Sequence, residues 1–191
     1  ADGHLIVFHD DDLERMCGRQ SRIDQLKLTE IQCQLQFGQP IMTLASIAPA
    51  LSGFNVIELE IKTHSRTNYT VLIAALRQAF IDTPLASLPV VLTSFDVELH
   101  NRLQRHKLLS HMPRGLLIRT PEALASATNT ALQLGCIQLG IHYPLLTQAV
   151  IKHIFIVYKC SLYTLFKVLW WLKLIPLGIL YDCKKSTWLT A

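Results

Sequence analysis

Apolar and polar positions follow two rhythms along this chain, one with a period of two and one close to 3.6. Residues 5–8, LIVF, form an unbroken apolar run that leads into His9 and three aspartates, and the run predicts a strand buried on both faces. Asp2-Gly3 just before it is a turn dipeptide, so the strand is expected to be the second arm of a hairpin whose first arm lies outside the sequence. Helical spacing resumes from Thr29 within residues 23–35. It returns over residues 44–51, with Thr43 as a candidate cap, Ser52-Gly53 as a stop and Pro49 as a reason to end early. Residues 55–62, NVIELEIK, alternate: Ile57, Leu59 and Ile61 share one face, and Val56, Glu58, Glu60 and Lys62 share the other. Further on, the pattern predicts a helix over 69–81, a strand over 90–95, a helix over 97–109 and a short strand over 116–118. Thr120 and Pro121 open a helix running to Leu134, Gly135 stops it, and 136–143 predict a strand before a helix near Leu145.

Strand and helix alternating in this way predict an α/β fold with parallel strands and crossover helices, either an open doubly wound sheet or part of a barrel. No glycine-rich phosphate loop follows any strand, so a common nucleotide site is not indicated. With 191 residues the chain can build one core but is short of the roughly 250 residues of a full eightfold barrel. Half of its residues are hydrophobic and 17% are charged, which excludes a disordered chain. No charged and then apolar leader precedes residue 5, so no secretory signal is expected. The cysteines at 17, 33, 136, 160 and 183 include no CxxC pair and no histidine at ligand spacing. They argue against zinc and against a disulfide framework, and they lean towards a reducing, cytoplasmic setting.

Charge divides the chain into two expected segments, 1–150 and 151–191. Residues 1–151 hold nine Arg and three Lys against 13 acids, whereas residues 152–191 hold six Lys, no Arg and one Asp. The basic excess therefore belongs to the tail, which argues against a nucleic-acid-binding body. Lys152, Lys159, Lys167 and Lys173 interrupt the apolar tail, so a simple transmembrane helix is not expected. Those lysines fall within about 120° on a helical wheel, which suits an interfacial helix with Trp170 and Trp171 near the headgroups and peripheral membrane contact through 152–181. A reading-frame change into AT-rich DNA would produce the same abrupt switch from Arg to Lys and towards aromatic residues.

Taken alone, residues 9–12 suit a polar turn with helix-capping aspartates as well as they suit a catalytic strand end. The wider pattern is more specific. Asp2, Gly3, Val7, His9, Asp10, Leu13 and Arg15 match a DG-x-x-V-x-x-HD-x-x-L-x-R segment. In the same order come residues 24–31 (DQLKLTEI), 41–44 (IMTL, with Met42 in place of proline), Glu60-Ile61-Lys62, Ser94-Phe95 and 141–144 (IHYP). This series resembles the glycerophosphodiester phosphodiesterase family over roughly residues 1–150. The resemblance implies a partial TIM (β/α) barrel that lacks the first two and last two strands.

By that resemblance His9 is a catalytic histidine, and an imidazole with an unperturbed pKa of ~6.5 can both take and give a proton. Glu60 is implied as a ligand of a divalent cation, Ca or Mg, and Lys62 as the charge that stabilises the phosphoryl oxygens. Without the resemblance, Glu60 and Lys62 also suit an ordinary exposed strand face. Arg15 and Ser94 are implied substrate contacts, and Glu58 stands where the family often has Asn. His100, His106 and His111 are expected on a surface helix and its exit. The H-R-G and E-x-D motifs that carry the partner histidine and two more carboxylates are not in the 191 residues, and neither is a W-T-V-N-like strand. The expectation is a metal-dependent hydrolase of small glycerophosphodiesters by ancestry, with little activity in this chain itself. The alternative is a non-catalytic barrel remnant tethered to membranes by its tail.

Overall fold

The computed structural model describes residues 2–35 and 41–150. The expected interfacial helix of the tail lies outside the described residues, and among these no helix is long and apolar enough to cross a membrane. In chain order the elements are β1 (Ile6–Val7), β2 (Asp12–Leu13), α1 (Glu14–Cys17), β3 (Arg19–Arg22), α2 (Leu28–Gln34), β4 (Met42–Thr43) and α3 (Leu44–Ile47). These are followed by β5 (Ile57–Glu60), α4 (Tyr69–Asp82), β6 (Val90–Ser94), α5 (Val97–Arg105), β7 (Arg114–Ile118), α6 (Pro121–Gln133) and β8 (Gln138–Ile141). The described residues group into two compact units. Among them, one draws on residues 2–35, 41–54 and 68–89, and the other on residues 55–67 and 90–150.

In the first unit the expected strand at 5–8 is corrected on two counts. Only Ile6 and Val7 form β1, and β1 pairs antiparallel with β4, Ile6 opposite Thr43 and Val7 opposite Met42. Nor is it buried on both faces. Ile6 and Phe8 pack against a cluster built on Leu13, Ile31 and Ile41, while Val7 between them is exposed. The run therefore alternates in its environment although its composition does not. The polar stretch after Asp12 folds as a small antiparallel pair, β2 with β3, enclosing the single turn of α1. Gly18 ends that turn at φ 70°, where other residues are strained, and its N–H reaches the Glu14 carbonyl at 2.7 Å. Asp2 accepts a hydrogen bond from the Leu28 N–H at 2.8 Å at the start of α2, and this bond holds its carboxyl below the usual range. Thr43 caps α3, its hydroxyl taking the Ser46 N–H at 3.1 Å, and the chain tightens into a 3-10 helix over Ala48–Gly53, as Pro49 predicts.

The second unit is the parallel α/β body. Its sheet runs β5-β6-β7-β8 with every neighbouring pair parallel. The alternation expected of residues 55–62 is present, with Ile57 buried and Glu58 and Glu60 exposed. Helix α5 packs on β6 and β7, and α6 packs on β7 and β8. Leu116, Ile118, Ala127, Ala131 and Leu139 form the seam under α6. The helix stop predicted at Gly135 takes a specific form. Gly135 sits at φ 64°, its N–H bonds to the Leu132 carbonyl at 3.0 Å, and the Cys136 N–H bonds to the Ala131 carbonyl at 2.8 Å, the two bonds of a Schellman closure.

Candidate active site

The register of the sheet determines which side chains can meet. Glu60 lies opposite Thr93 of β6, and Thr93 lies opposite Gly115 of β7. Paired residues in a parallel sheet share a face, so Glu60 and Thr93 share one and Ser94 belongs to the other. Lys62, two residues beyond Glu60, continues the Glu60 face past the carboxyl end of β5. Both side chains are exposed. Thr93 is fully buried, and its Oγ1 has no hydrogen-bond partner among the described residues.

The backbone that carries Lys62 is fastened on both sides. The Ile61 N–H bonds to the Thr93 carbonyl at 2.7 Å, and the Ile61 carbonyl accepts the Ser94 hydroxyl at 2.7 Å. The Thr63 hydroxyl donates to Asp96 Oδ2 at 2.7 Å. Asp96 in turn donates its N–H to Ser94 Oγ at 3.2 Å, and its Oδ1 caps α5 through the N–H groups of Glu98 and Leu99. Ser94, an expected substrate contact, is thus 2% exposed and joins β5 to the β6–α5 corner. His100, expected on a surface helix, is 0% exposed and reaches the Ser94 carbonyl through Nε2 at 3.2 Å. Burial lowers the pKa of this imidazole.

His9 and Arg15 meet on Asp10 in the first unit. Asp10 Oδ1 lies 2.7 Å from His9 Nδ1, and Oδ2 accepts from Arg15 Nε at 2.6 Å. The hydrogen bond from His9, followed by that from Arg15, lowers the Asp10 pKa. A carboxylate can only accept, so it selects the His9 tautomer with the proton on Nδ1 and the lone pair on Nε2. The His9 side chain is 72% exposed and that of Arg15 66%. Asp10 as this hub and Asp96 as a cap are not among the candidate site residues of the sequence, although the aspartate after histidine in the motif and an aspartate just before the helix at Val97 are their local signals.

At the carboxyl ends of β6 and β7 the Arg119 guanidinium lies over the Phe95 ring, 4.9 Å from its centroid. His142 follows β8, its N–H on the Ile118 carbonyl at 2.8 Å and its ring edge-on to Tyr143. For the divalent cation that the family resemblance implies, Glu60 would offer one carboxylate. Among the described residues no three His, Cys, Asp or Glu side chains converge as a metal site, so these residues do not by themselves fit the implied ion.

Three solved structures that share this fold are described as phosphodiesterases. One, from Oleispira antarctica, was solved in complex with the product sn-glycerol-3-phosphate; it is 20% identical, with a TM-score of 0.66 over 80% of this chain and 63% of that one. A second, from Silicibacter pomeroyi DSS-3, is described as a glycerophosphoryl diester phosphodiesterase and is 14% identical, with a TM-score of 0.67 over 82% of this chain and 66% of that one. A third of that description, from Agrobacterium tumefaciens C58, is 17% identical, with a TM-score of 0.60 over 80% and 64%. The chain thus spans under two thirds of the length of these proteins, and its α/β fold is that of a partial barrel. No curated protein sequence matches it. The model of the glycerophosphoryl diester phosphodiesterase family matches residues 1–156, and the chain belongs to that family.

Proposed function

We propose that this chain carries part of a site that hydrolyses glycerophosphodiesters to an alcohol and sn-glycerol 3-phosphate. The observation that carries the reading is the Glu60–Lys62 face at the carboxyl end of a parallel strand, with the backbone on both sides of Lys62 bonded to the β6–α5 corner. Barrel enzymes keep their chemistry at that edge. In the reaction an oxygen nucleophile adds to phosphorus, the bond from phosphorus to the alcohol oxygen breaks, and that oxygen takes up a proton. The Lys62 ammonium is suited to the negative charge that builds on the phosphoryl oxygens. His9, with its lone pair on Nε2, is suited to receive the proton of the nucleophile or, once protonated, to hand one to the alkoxide. Glu60 is proposed as one carboxylate toward a divalent cation, Ca²⁺ or Mg²⁺, for which the described residues do not bring together a full ligand set. Arg15 and Ser94 we assign to positioning, through Asp10 and through Ile61 respectively.

The 191 residues contain His9 and Glu60 but neither H-R-G nor E-x-D, and we propose that the chain alone has little or no turnover. Release of choline from glycerophosphocholine by pure protein, abolished in His9→Ala, would overturn that statement. The reading of the site itself is tested by calorimetric titration with sn-glycerol 3-phosphate. Lys62→Ala should weaken binding by about ten-fold or more, as loss of one charged hydrogen bond does, and unchanged affinity would refute the assignment.

A further inference from the structure

The carboxyl edge of β6 and β7 carries a pair that the reaction above leaves unused. Phe95 follows the last residue of β6, and Arg119 follows the last residue of β7. Strand alternation brings both to the Glu60 face. Phe95 lies two residues beyond Thr93 and Arg119 four beyond Gly115, and Thr93 is in register with both Glu60 and Gly115. The unpartnered Thr93 Oγ1 belongs to the same face, and a buried hydroxyl of that kind calls for a polar group.

The guanidinium carbon of Arg119 sits 4.9 Å from the Phe95 ring centroid, within the range of a cation–π contact. Phe95 is 38% exposed, and Arg119 is exposed as well. Among the described residues Arg119 has no carboxylate partner. An exposed aromatic face is where a quaternary ammonium group binds, but here a cation that does not lose its charge already covers it. A choline headgroup would meet like charge at an occupied ring. Hydroxyl or anionic groups would instead meet guanidinium N–H donors.

We propose that Arg119, stacked on Phe95, is a specificity residue that favours glycerophosphodiesters with hydroxylated or anionic headgroups over those with quaternary ammonium headgroups. The proposal rests on the reading of the Glu60–Lys62 edge as a glycerophosphodiester site. Titrating the 191-residue chain with sn-glycero-3-phosphoinositol and with sn-glycero-3-phosphocholine tests it, alongside Arg119→Gln and Lys62→Ala. Native protein should bind the inositol diester at least about five-fold more tightly. Arg119→Gln should bring the ratio to one or below, by strengthening choline binding as well as weakening inositol binding. Equal native affinities, or a ratio unchanged in Arg119→Gln, overturn the proposal. If Lys62→Ala loses both ligands while Arg119→Gln keeps the native ratio, the headgroup inference fails and the phosphate site stands. Undiminished binding in Lys62→Ala overturns the site on which the proposal rests, and a native chain that binds neither ligand overturns both.

Discussion

Acidification should weaken this fold through one buried imidazole. His100 Nε2 lies 3.2 Å from the Ser94 carbonyl, which can only accept, so the neutral ring carries its proton on Nε2 and presents a lone pair at Nδ1. That lone pair faces Cys136 Sγ at 3.8 Å, and burial pushes the thiol pKa up, which keeps the S–H donor in place. A second proton on the ring would set N–H against S–H, in a buried site where the Arg114 guanidinium adds like charge. Burial is the largest cause holding the His100 pKa below the usual 6.5, and the Ser94 carbonyl and the Asp96 carboxylate oppose it. The unfolded chain therefore takes up this proton near pH ~6.5, and the folded chain does so only at lower pH. Between those two points the unfolded state binds more protons, so stability falls with falling pH by up to ~1.4 kcal/mol per unit. Urea midpoints measured from pH 7.5 to 5.0 report that slope. His100→Gln keeps a donor for Ser94 without titrating and should remove about that much of the slope. Equal slopes in native and variant protein would refute the assignment of the proton to His100.

Two further substitutions test the packing of the sheet. Arg114 is buried and donates to the Ser110 and Leu134 carbonyls, each at 3.0 Å; Arg114→Met leaves both without that donor and should lower stability by about 2–4 kcal/mol, read from denaturant midpoints at unchanged m-value. A loss below ~0.5 kcal/mol would mean that relief of the buried charge offsets the broken bonds. In Gly115→Ala the new Cβ would lie 2.9 Å from Thr93 Cγ2 and 3.2 Å from Gln138 Cβ, and the expected loss is about 1–3 kcal/mol. Adding Thr93→Ser removes the nearer of those atoms and should recover part of it, and a double-mutant cycle without coupling would contradict the geometry.

Much of the parallel body was legible because each of its signals is local. Residues 55–62 alternate, Thr120 and Pro121 open α6, and Gly135 closes it, so the chain order of strands and helices follows from nearest neighbours. What escaped was set by pairing at a distance. Four consecutive apolar residues at 5–8 carry no mark of a half-exposed antiparallel strand, because only the partner at Met42–Thr43 and the cluster around Leu13 decide which of them are covered. Ser94 adjoins a candidate site in sequence, yet register turns it away from the Glu60 face. His100 occupies a polar-looking stretch, but α5 turns it inward among Leu99 and Leu103. That Glu60 and Lys62 share a face could be read from a period of two. Arg119 over Phe95 could not, since nothing in either neighbourhood announces the other across 24 residues of chain.

The Ser94 and Asp96 bonds at the end of β5 have a consequence for exchange of parts between relatives. Residues 61–63 take their positions from hydroxyl and carboxylate groups at 94 and 96, and those groups also hold the start of α5. A loop transplanted after Glu60 without its counterpart at 94–100 would reach its new host with its fastenings left behind. The smallest portable piece of this edge is therefore discontinuous: two short stretches, distant in the gene, that must travel together if residues 61–63 are to keep their positions.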